Sequence, residues 1–136
     1  MEFNAPVEDM VTLYISYIRY ILEQSCTVWH SSLTQENSED LERVQKSAMR
    51  IILGENYTIY DDALETLMLA KLSDRREKLS LKFAKNHANN ELTKELFPLN
   101  KSRCKEKYRV THANTDRLKD SAVPYLQRLL NKEEKK

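Results

Sequence analysis

The chain has 136 residues, 32% of them charged, a net charge of +1 and only one glycine and three prolines. That length suits one domain burying roughly two-thirds of its unfolded surface, and the composition excludes a disordered chain and favours long helices. No apolar run approaches the ~20 residues of a membrane span, and the acidic start at Glu2, Glu8 and Asp9 lacks the basic opening of a signal peptide.

An intracellular chain, nuclear or cytoplasmic and with no membrane partner, is therefore expected. In that setting Cys26 and Cys104 are most simply reduced thiols. The near-neutral total conceals an asymmetry. Residues 1–65 carry 4 basic and 12 acidic side chains, and residues 66–136 carry 18 and 9. The C-terminal half is built to meet an anion, or else the halves attract each other.

In chain order, Asn4 can cap a first helix with Pro6 in its first turn and Glu8 and Asp9 at the positive end of the dipole. Met10, Tyr14, Ile18, Ile21, Leu22, Ser25, Val28 and Trp29 follow a 3.6-residue stripe that predicts a mostly buried face. Tyr14 and Trp29 sit on that stripe and read as core, while Tyr17 and Tyr20 lie at its margin. A second helix begins between Thr34 and Ser38 and stops at Gly54. Its predicted buried face is Leu41, Val44, Ala48, Ile51 and Ile52, with Glu39–Arg43 and Glu42–Lys46 pairs opposite. Thr58 caps a short third helix to about Leu67, and Ser73 a fourth to about Ala88. One or two turns between Glu91 and Phe97 precede Pro98.

Over residues 101–112 the period changes to two. Lys101, Arg103, Lys105, Lys107 and Arg109 alternate with other residues, so an extended segment puts five cations on one side. A last helix starts near Ser121 with Pro124 in its first turn and buries Val123, Leu126, Leu129 and Leu130. Lys132–Lys136 reads as a fraying tail. The fold expected is all-α, about five helices in a small bundle over residues 1–131 with one extended basic segment.

Three basic stripes suit phosphates. Arg75, Lys78, Lys82 and Lys85 lie within about an 80° arc of the fourth helix. Lys46 and Arg50, with Arg43, form a shorter stripe on the second helix, and the alternating cations of the extended segment supply the third. Catalytic constellations are wanting. Cys26 and His30 are four apart, half of a zinc site at most, and His87, Cys104 and His112 are isolated. Neither a metal nor a cofactor is expected.

The stretch Leu13–Gly54, with Cys26-Thr27-Val28-Trp29-His30 between two amphipathic helices, closely resembles the region after the palm in reverse transcriptases of jockey-like non-LTR retrotransposons. Leu67, Leu72 and Arg75-Arg76 resemble that family's leucine-then-paired-arginine segment. Thr115, Arg117, Leu118, Ser121, Pro124 and Arg128 resemble its closing segment, so the likeness runs from about Val7 to Asn131. It implies a thumb that helps hold a template–primer duplex, with Lys46, Arg50, Arg75, Arg76 and Lys82 against RNA or an RNA–DNA hybrid.

Such polymerases also carry a Tyr-x-Asp-Asp hairpin that holds metal ions. Here Tyr60-Asp61-Asp62 follows Ile59, is flanked by Thr58 and Ala63-Leu64-Glu65, and reads as a helix N-terminus with acidic first-turn residues. Fingers, palm carboxylates and endonuclease have no counterpart in the sequence. The resemblance thus implies a non-catalytic grip whose partners are nucleic acid and a palm-and-fingers polymerase domain. The alternative is a protein-interaction or self-association module that uses the apolar face of the first helix.

Overall fold

A computed structural model describes residues 5–101 and 105–135; Asn4, Arg103 and Cys104 lie outside them. The fold is all-α, with five helices of seven residues or more and no strand among the described residues. The chain divides into two compact units, Met1–Gln24 with Thr34–Arg75, and Ser25–Leu33 with Arg76–Lys136.

In the first unit, α1 (Val7–Leu13) starts behind Pro6, whose carbonyl accepts from the Asp9 and Met10 amides at 3.1 Å each. A π-helical stretch, Tyr14–Arg19, joins it to α2 (Tyr20–Glu23). A wider turn rotates every later side chain relative to an α-helical wheel. For that reason the predicted stripe fails beyond Tyr14: Ile18 and Ile21 are exposed, as are Tyr17 and Tyr20. The helix also ends at Glu23, before Ser25 in left-handed backbone at φ 54°, so it does not reach Trp29. Val28, predicted inside, is exposed.

The long helix α4 (Gln35–Leu53) begins where predicted. The Thr34 hydroxyl accepts from the Asn37 amide, and Gly54 at φ 53° ends it. Its buried face is rotated from the predicted one. Gln45, Ala48 and Met49 are inside, whereas Val44 and Ile51 are exposed. The polar Gln45 wins its place because three groups satisfy its amide. Oε1 accepts from the Tyr14 hydroxyl at 2.6 Å, and Nε2 donates to the Tyr60 hydroxyl at 2.9 Å and the Ala70 carbonyl at 3.1 Å. The predicted helix pairs give way likewise: Arg43 meets Asp40, and Glu42 accepts from the Tyr60 hydroxyl at 2.5 Å and the Ser73 amide at 2.8 Å. The core is Met49, Ala63, Leu64 and Leu67, with Val11, Ile52 and Leu53 against it.

Helix α5 (Tyr60–Thr66) ends in a left-handed turn. Met68 at φ 51° lets the Leu69 amide reach the Leu64 carbonyl at 2.8 Å and the Met68 amide reach Glu65 at 3.1 Å. Helix α6 (Leu72–Ala88) follows, its first residues counted with this unit and the rest with the second.

The second unit contains α3 (Cys26–Trp29), most of α6, α7 (Asp116–Lys119) and α8 (Ala122–Glu133). Ala84, Phe97, Tyr108, Leu126 and Leu130 form its core. Helix α8 starts after Ser121 with Pro124 inside its first turn, as the sequence predicts. Between its apolar residues Gln127 and Asn131 are buried, and both hold loop backbone. Gln127 accepts from the Thr111 amide and donates to the Leu96 carbonyl, and Asn131 bonds the Tyr108 amide and carbonyl at 2.8 Å each. Leu99 and Tyr108 form a single antiparallel bridge, and the described part of the predicted extended segment contains no strand beyond it. In the described part of Lys132–Lys136, Lys132 and Glu133 are helical, and Glu134 and Lys135 pair with Lys107 and Glu106.

Candidate nucleic-acid interface

The two units separate the charge nearly as strongly as the two halves of the sequence. Counted over the full sequence, the first holds 6 basic and 13 acidic residues and the second 16 and 8, formal charges of −7 and +8. The basic candidates divide accordingly.

In the first unit Lys46 lies over the Tyr60 ring, 5.0 Å from its centroid, and Arg50 over Tyr57 at 5.3 Å. Both are held against aromatic faces, and Lys46 also shares a recess with Glu39, Glu42 and Asp61. Arg75 is also committed. Its Nε donates to one oxygen of Glu23 and its Nη2 to the other at 2.9 Å, a forked pair with Glu23 only 11% exposed. Arg76 departs furthest from expectation. It is 0% exposed, so its guanidinium cannot reach a phosphate, and the likeness of Arg75-Arg76 to a duplex-contacting pair is not matched by the geometry here. A helix stripe predicts neighbours in angle, whereas packing decides which edge of the stripe is covered.

Lys78, Lys82 and Lys85 survive that test. They are exposed along one row of α6 and line a shallow groove with Leu81 and Asn86, of about 320 Å³. Among the described residues Lys78 and Lys82 have no carboxylate within 4.0 Å, and Lys85 pairs with Glu133 at 3.1 Å. On the basic loop, Lys105 and Arg109 are exposed. Lys107 donates to Glu134 at 2.7 Å, a bond that holds its ammonium above the ordinary lysine range. Glu133 and Glu134 are consecutive residues at the end of α8, so one cation of the first stripe and one of the third are each tied to that end, a link that no spacing in the sequence announces.

Asp61 and Asp62 stand in the first turn of α5, the first paired with Lys71 at 3.0 Å and the second accepting from the Thr58 hydroxyl at 3.2 Å. Tyr60 is bound instead to Glu42 and Gln45, and burial followed by the Glu42 hydrogen bond raises its pKa far above the ordinary phenol value. No group of three His, Cys, Asp or Glu able to hold a metal occurs among the described residues. The residues sequence reasoning missed are Glu23, Gln45, Gln127 and Asn131. Only Gln127 and Asn131 left a trace, as polar residues four apart within an apolar face.

No family model, curated protein or solved structure matches this chain.

Proposed function

We propose that this chain is a non-catalytic nucleic-acid-binding domain, similar to the thumb and C-terminal part of a jockey-like non-LTR reverse transcriptase. It grips the backbone of RNA or of an RNA–DNA hybrid, and serves RNA-templated DNA synthesis when joined to palm and fingers. The observation that carries this reading is the exposed row Lys78, Lys82 and Lys85 in a unit of formal charge +8. The row spans about 10 Å of helix axis, over which one duplex strand presents about three phosphates. Lysine contacts of this kind fix register and carry no sequence information. The Lys85–Glu133 pair is half-exposed, of the class worth at most about 1 kcal/mol, so a phosphate displaces the glutamate at little cost.

The test is a titration of labelled RNA, RNA–DNA hybrid and duplex DNA at about 50 and 200 mM salt. Three phosphate contacts give a log–log salt slope of roughly −2 to −3. Lys78→Ala, Lys82→Ala and Lys85→Ala combined flattens that slope and weakens binding equally for all sequences. Arg75→Ala lowers stability by stranding Glu23 and leaves affinity nearly unchanged. A folded triple variant with the parent's affinity and salt slope refutes the assignment. Self-association through apolar surface, by contrast, persists at high salt.

A further inference from the structure

The last turn of α8 sets carboxylates on cations that phosphate binding needs. Glu133 pairs with Lys85 at 3.1 Å, and Glu134 with Lys107 at 2.7 Å. Glu133 is the last residue of α8 and Glu134 its C-cap. A carboxylate at a helix C-terminus faces the negative end of the dipole, so the helix itself disfavours both side chains where they stand. The lysines opposite are what compensate them.

Fastening the helix end does not require these two pairs. Lys132 and Lys135, on the same turn, meet Glu77 at 3.7 Å and Glu106 at 3.3 Å, and both cations suit a helix C-terminus. The Glu134 amide also continues the helix by donating to the Leu130 carbonyl at 3.1 Å.

Lys85 and Lys107 each remain 50% exposed, so a phosphate can approach them. An ammonium has three donors, but a carboxylate and a phosphate brought together on it repel each other, and the two compete. Lys78 and Lys82 have no carboxylate within 4.0 Å among the described residues and meet no such rival.

We propose that the end of α8 is an internal competitor for nucleic acid. Glu133 and Glu134 occupy Lys85 and Lys107 in the free chain and hold down its affinity for a phosphate backbone. This inference rests on the lysine-row reading given above and adds a restraint to it.

The experiment titrates the full chain with labelled RNA and RNA–DNA hybrid at about 50 mM salt. Glu133→Gln with Glu134→Gln is expected to tighten binding about three- to tenfold, because exposed pairs of this class are each worth a factor of a few. That gain disappears when Lys85→Ala and Lys107→Ala are also present, a coupling that a general change in net charge does not produce. Glu91→Gln with Glu95→Gln removes the same charge from exposed positions elsewhere in the unit and gives a smaller gain. Glu133→Gln alone, read against Lys85→Ala, serves if the double variant unfolds.

A gain that persists without the two lysines, or that the Glu91 and Glu95 variant matches, overturns the proposal. So does a double variant that melts lower yet binds with the parent's affinity, which makes the pairs staples for α8. Each of those results leaves the lysine row standing. A folded Lys78, Lys82 and Lys85 triple variant with the parent's affinity and salt slope defeats that row and this inference with it.

Discussion

Replacing Gln45 by leucine tests the structure where it departs most from its amphipathic pattern. Gln45 is 0% exposed and joins the π-helical stretch, α5 and the turn before α6 through Tyr14, Tyr60 and Ala70. Leucine has similar volume, so the substitution deletes hydrogen bonds with little cavity. The Tyr60 hydroxyl keeps its bond to Glu42, but the Tyr14 hydroxyl, on a residue 2% exposed, loses its acceptor and the Ala70 carbonyl loses a donor. Each orphaned group costs about 1–3 kcal/mol, and the added apolar burial returns about 1 kcal/mol. A net loss of roughly 1–5 kcal/mol follows, or about 4–20 °C in Tm for a domain of this size. Thermal and urea denaturation followed by circular dichroism measure it. In the Gln45→Leu background, Tyr14→Phe should restore stability by removing the stranded hydroxyl, a coupling of at least about 1 kcal/mol in a double-mutant cycle. If Gln45→Leu is as stable as the parent and the two substitutions are additive, the hydrogen-bond hub does not exist.

Two further outcomes follow from local physics. Burial lowers the His30 pKa and the Arg76 charge pushes the same way against Glu77, while Nδ1 is buried without a hydrogen-bond partner among the described residues. The unfolded chain then takes up the proton first, so stability present at pH 7.5 declines as pH falls through about 6.5 toward the lower folded value. His30→Gln flattens that decline in pH-dependent urea midpoints, and a parent that gains stability on acidification over this range contradicts it. Met68, 94% exposed and at φ 51°, occupies a position where glycine is unstrained. Met68→Gly relieves about 1–2 kcal/mol of left-handed strain and costs about 0.5–1 kcal/mol in chain entropy, so Tm rises by a few degrees; a fall shows that the turn is not strained.

Several helix ends were legible because their causes are local, although the predicted caps Thr58 and Ser73 do not serve: Ile59 precedes α5 and Ser73 lies inside α6. The Thr34 hydroxyl on the Asn37 amide, Gly54 in left-handed backbone, and Pro124 in the first turn of α8 each involve residues within one turn. Period and spacing likewise revealed the lysine row of α6. The buried leucines of α8 were legible too, Leu126, Leu129 and Leu130 being inside, but the buried faces of the first helix and α4 were not, since those depend on what a distant part of the chain offers. On α4 a tyrosine hydroxyl 31 residues away lets Gln45 inside, and on α1 a π-helical turn shifts the stripe.

The sequence by itself determined an all-α chain, where its long helices start and stop, and a strong separation of charge, because caps, periodicity and composition are properties of neighbouring residues. Tertiary structure alone decided that Ser25–Leu33 belongs with the C-terminal unit and that Arg76 is buried, Arg75 tied to Glu23, Lys85 to Glu133 and Lys107 to Glu134. Those outcomes turn on pairings between residues far apart in the chain, where desolvation and hydrogen bonding select among side chains that a helical wheel treats as equivalent.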